Sequence, residues 1–220
     1  MSYFKRFPVA LTEIHNSGNP MYVIATGGGT SFLGEFLKIP GGSSVVIGGE
    51  IPYSTALVDQ LLGAKPDNYA SGECARKLAV VAYEKARQAT GNELRCMGIG
   101  AACSLYKNNE REGRIHKFCV AIHKKYYTAE CIITAKTINP AYLGVDVREE
   151  QELFVSRVMF TMIWNARNVN YFTTPKESIK EINSTLLDSN FEIININWNV
   201  VHDTDVNLQD VSEIKTNVIY

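Results

Sequence analysis

No apolar run in this sequence approaches the roughly 18 residues that a membrane-spanning helix needs. The opening residues, Met1 to Pro8, also lack the apolar stretch of a signal peptide. An excess of charge of one sign is missing as well: 22 Lys and Arg against 23 Asp and Glu leave a net charge of −1. That balance argues against a broad footprint for nucleic acid or an anionic membrane, but it allows a local basic pocket. Cysteines are few and scattered. Cys74, Cys96, Cys103, Cys119 and Cys131 contain no CxxC pair. An odd number at irregular spacing points to reduced, mostly buried thiols and to a cytoplasmic setting. The four histidines do not cluster with them, so neither a metal centre nor a cofactor is expected. Internal repeats and low-complexity linkers are absent too.

What is present suits a folded α/β protein. A chain of 220 residues, 45% hydrophobic and 20% charged, can bury one sizeable core, or one domain plus an appendage. The most informative stretch is Ile24-Ala25-Thr26-Gly27-Gly28-Gly29-Thr30-Ser31. Met21 to Ala25 reads as a buried strand, the glycines as a turn, and Ser31 as the start of a helix. Phe32, Leu33, Phe36 and Leu37 share one face of that helix. Such a strand, turn and helix can present backbone N–H groups to an anion, or can be a tight connection with no ligand.

The remaining elements follow in order. Residues 3 to 15 suggest a helix interrupted near Pro8. Lys38 to Ser44 forms a second glycine turn before Val45 to Ile51, which reads as a central strand. Ser54 or Thr55 caps a short helix that Gly63 stops, and Ser71 caps a longer one ended by Gly91. Leu94 to Ala102 is a strand. Lys107 to Gly113 is charged and expected in solvent. Ile115–His123 and Tyr126–Lys136 form a hairpin, and Val147–Arg167 is a largely buried helix. The alternation predicts an α/β sandwich, a mixed β-sheet flanked by helices, over residues 1–168. Residues 169–220 read as an accessory segment and possible oligomerisation element. It holds a helix from Pro175 to Leu187 and an alternating strand, Ile193 to Trp198.

Set together, these pieces resemble the C-terminal domain family of the competence/damage-inducible protein CinA, from about Tyr22 to Arg167. Ala25-Thr26-Gly27-Gly28-Gly29-Thr30-Ser31 stands where the family has Ala-Glu-Ser-Cys-Thr-Gly-Gly. Pro40-Gly41-Gly42-Ser43-Ser44 stands for Pro-Gly-Ser-Ser, and Gly48-Gly49 through Tyr53-Ser54 to Val58 for Gly-Gly-x-x-x-Tyr-Ser-Asn-Glu-x-Lys. Met97-Gly98-Ile99-Gly100-Ala101-Ala102 matches a Thr-Gly-Ile-Ala-Gly-Pro loop, and Asp146-Val147-Arg148 a closing Gly-Asp-Arg. The resemblance implies the family's α/β fold, a homo-oligomer, and a nicotinamide-nucleotide amidohydrolase or a relative of one. Yet the family's nucleophilic serine falls on Gly27 or Gly28, and its activating lysine on Val58. Valine cannot accept a proton.

Three readings stay open from sequence. The chain binds a nucleotide or other phosphorylated small molecule without amidase turnover. Alternatively it is an active amidase with relocated residues, or a structural or assembly scaffold. Under the first reading, the ligand site comprises Gly27, Gly28, Gly29, Thr30, Ser31, Gly42, Ser43, Ser44, Tyr53, Gly100, Ala101 and Arg148, with the two glycine turns at one end of the sheet. Under the second, Thr30, Ser31 or Tyr53 supplies the catalytic hydroxyl, and Lys38 or Lys65 the base. Cys103 is a further candidate nucleophile. His116 and His123 read as sheet filler sharing one strand face.

Overall fold

The computed structural model describes residues 3–107, 110, 113–137, 145–168 and 191–202. A short 3-10 helix, Tyr3–Arg6, leads into α1 (Pro8–Ser17), with the break at Phe7 and Pro at the first helical position. Then come β1 (Met21–Thr26), α2 (Ser31–Leu37), β2 (Val46–Glu50), α3 (Thr55–Leu62), α4 (Gly72–Thr90) and β3 (Met97–Ser104). The hairpin β4 (Ile115–Lys124) and β5 (Tyr127–Thr137) follows, then α5 (Val145–Asn165) and β6 (Phe191–His202). The helix expected over 175–187 lies outside the described residues. Among those that are described, no helix is long and apolar enough to cross a membrane.

The strands form one mixed sheet in the order β2-β1-β3-β4-β5-β6. β1 runs parallel to both β2 and β3; β3 to β6 are successively antiparallel. This is the expected mixed sheet flanked by helices, with two differences. The strand over 191–202 continues the sheet by pairing with β5. And β2, read as central from its apolar run, is an edge strand. Its hydrophobicity is partly exposed: Ile47 and Ile51 are among the exposed large apolar residues.

Two layers of helix cover the sheet. On one face α4 lays Cys74, Ala75, Leu78, Ala79 and Ala82 against Ile24, Ala102, Cys119 and Ala121. Its spacing of small residues at three and four is the stripe of an amphipathic helix. The close seat needs glycine on the sheet as well. A Cβ at Gly98 would strike the Ala79 carbonyl, and one at Gly100 the Ala75 carbonyl. On the other face α5 packs Phe154, Val155, Val158, Met159, Met162 and Ile163 with residues of α1 and α2 against Val23, Ala25, Ile99, Phe118, Val120 and Ile133. That larger core also holds a cluster of Phe4, Phe32, Phe36 and Phe160, with Phe4 stacked on Phe160 at 4.7 Å.

The end of α5 is fixed by a buried ammonium. Lys124 donates to the carbonyls of Ala166 (3.2 Å) and Asn168 (3.1 Å), in the chain that leaves the end of the helix. Burial pushes its pKa down to about 8. The histidines do not share a face. Seven residues apart in a strand, they must point to opposite sides. His123 is set edge-on to Tyr83 of α4, while His116 lies on the side of Phe118 and Val120.

Candidate functional site

Ligands of open α/β sheets collect beyond the C-terminal ends of the parallel strands. Here that edge carries the Gly27–Thr30 turn after β1, Pro52 and Tyr53 after β2, and Leu105 and Tyr106 after β3. The N-terminal turns of α5 lie across it. Thr26 ties the first two segments together, its Oγ1 donating to the Pro52 carbonyl at 2.8 Å.

The glycine turn is built for close packing. Gly27 (φ 72°) and Gly29 (φ 80°) hold left-handed backbone, which other residues adopt at a cost. A Cβ on Gly27 would strike the Cys103 carbonyl. One on Gly28 would come within 2.9 Å of Cys103 Cβ and Leu105 Cδ2. One on Gly29 would reach Met159 Sδ at 2.7 Å and Val155 Cγ1 at 2.8 Å. The space of the absent side chains is filled from β3 and α5, and Gly28 and Gly29 are both buried.

Two of the turn's backbone donors are engaged as well. Glu152, about two turns into α5, accepts from Gly29 N at 2.7 Å and Thr30 N at 3.1 Å through Oε2. Through Oε1 it accepts from Thr30 Oγ1 at 2.9 Å. From sequence this turn could hold an anion or be a tight connection; a carboxylate of the chain itself stands on these groups. It serves as the N-terminal cap of α2, where Thr30 makes no capping bond within its own helix. Nothing local in the sequence marks Glu152: it stands in an acidic run, Glu149-Glu150-Gln151-Glu152, and its partners lie more than 120 residues away. Ser31, next along, is exposed.

α5 also grips the loop after β3. Gln151 Oε1 accepts from Tyr106 N at 2.6 Å, and Arg148 Nη1 donates to Tyr106 O at 2.8 Å. Arg148 Nη2 stands 3.4 Å from the hydroxyl of Tyr53, a residue that is 69% exposed. Thr30, Ser31, Tyr53 and Arg148 therefore share the C-terminal edge of the parallel strands. The other expected site residues do not join them. Gly42, Ser43 and Ser44 precede β2, whose start is bound to the start of β1 by Met21 N donating to Val45 O at 2.7 Å. Since β1 and β2 run parallel, the turn before one and the turn after the other lie at opposite ends of the sheet. For the six residues of β1 that is a separation of about 17 Å or more. Ser44 Oγ donates to the Gly41 carbonyl at 2.7 Å. Gly100 and Ala101 lie inside β3, buried on its two faces.

The catalytic candidates are placed as plainly. Val58 is buried in the cluster under α4. Lys38 lies at the far end of α2 from the glycine turn and pairs with Glu35 at 2.6 Å. Burial pushes the Cys103 thiol well above its ordinary pKa, the opposite of nucleophile activation. Within the charged stretch expected in solvent, Glu110 is instead largely enclosed. The Glu110 side chain is 4% exposed and accepts from Lys107 N at 2.7 Å and Arg114 Nη1 at 2.6 Å. It also meets His116 Nε2 at 3.3 Å. Burial holds His116 below its usual pKa, against the opposing pull of Glu110.

No family model matches the sequence, and no curated protein matches it. Solved structures do. The crystal structure of the competence-damaged protein (CinA) superfamily protein from Enterobacter cloacae is 13% identical, with a TM-score of 0.42 over 69% of this chain and 86% of that one. The competence/damage inducible protein CihA from Agrobacterium tumefaciens is 15% identical, with a TM-score of 0.39 over 71% of this chain and 95% of that one. The chain is similar to these CinA-superfamily structures. At such identities the likeness concerns the fold alone.

Proposed function

We propose that this chain is a non-catalytic α/β scaffold, an assembly domain in which the strand-end turn is closed by Glu152. The observation that carries the proposal is the engagement of Gly29 N, Thr30 N and Thr30 Oγ1 by one carboxylate. A phosphate at this turn would have to expel that carboxylate and meet Cys103, Leu105, Val155 and Met159 where the glycines now pack. The same contacts weigh against a displaced amidase. A threonine nucleophile needs a base and a separate set of donors for the developing oxyanion. Among the described residues, Glu152 is the carboxylate bonded to the Thr30 hydroxyl, and its other oxygen takes the N–H groups that would serve as those donors. Burial of Val58 in an apolar cluster fits a position with no proton to move.

The test pairs two measurements on the wild-type protein. Calorimetric titration with nicotinamide mononucleotide and with inorganic phosphate is expected to give no binding heat. Ammonia release from nicotinamide mononucleotide is expected at the buffer rate. Saturable binding of either compound would overturn the scaffold reading, as would ammonia release that Thr30→Ala abolishes.

A further inference from the structure

We draw no further inference here: the strongest candidate, the enclosed side-chain cluster of Glu110, Arg114 and His116 at the connection from β3 to β4, makes its described contacts with groups of the chain itself, and nothing in the structure shows a ligand or partner that it would take.

Discussion

The carboxylate of Glu152 meets Thr30 twice, accepting its backbone N–H at 3.1 Å and its hydroxyl at 2.9 Å across 122 residues of chain. That pairing fixes α5 over the end of β1 and gives the seven-residue α2 the cap that its own sequence does not make. It also joins the two helices that cover the larger core to the strand end between them.

Removing that carboxylate should cost stability. Glu152→Ala leaves two backbone N–H groups and a hydroxyl without their charged acceptor, and Gly29 is buried. A loss of about 2–3 kcal/mol is expected, with Glu152→Gln losing roughly half as much because an amide oxygen remains. Urea denaturation followed by circular dichroism measures both. An alanine variant as stable as the wild type would mean that water replaces the carboxylate at no cost.

Gly100 and Gly34 should respond to alanine in opposite directions. A Cβ at Gly100 would strike the Ala75 carbonyl and stand 2.5 Å from Ala79 N, forcing α4 off the sheet. Gly34 lies inside α2 with nothing within 4 Å of the added carbon. Gly100→Ala should destabilise by about 1–3 kcal/mol through overpacking. Gly34→Ala should stabilise by about 0.5–1 kcal/mol through helix propensity. Melting temperatures of the two variants settle the signs.

His123 should make the fold acid-sensitive. Burial lowers its pKa from 6.5 to about 4, with Glu84 opposing weakly, while its Nδ1 and Thr128 Oγ1 lie 2.7 Å apart. The unfolded chain therefore binds this proton before the folded one does. Stability from this group is complete above pH 6.5, is lost as pH falls towards 4, and changes no further below. A shift of this size amounts to up to about 3 kcal/mol. His116 is shifted the same way, so the informative quantity is the difference between wild type and His123→Gln across pH 4 to 7. Parallel curves would show that His123 does not carry the effect.

Much of the fold was fixed locally. Ser54 and Ser71 accept from Leu57 N and Cys74 N as N-caps, and Gly63 and Gly91 end those helices in left-handed backbone, all decided by residues within a turn of each other. Strand positions followed from β-branched and apolar runs, and the opposite facing of His116 and His123 was available from strand parity alone. The site was decided elsewhere. Parallel pairing of β1 and β2 sent Ser43 and Ser44 to the end of the sheet away from the glycine turn, although the two turns are near neighbours in sequence. Strand order made β2 an edge, which its apolar run could not reveal. Glu110 looks like a solvent charge until His116 and Arg114 enclose it. Three glycines in a row state that the backbone must pass something closely, but not whether that is a phosphate or a helix. Only tertiary packing, bringing Glu152, Val155 and Met159 onto Gly29 and Thr30 from more than a hundred residues away, selected the helix.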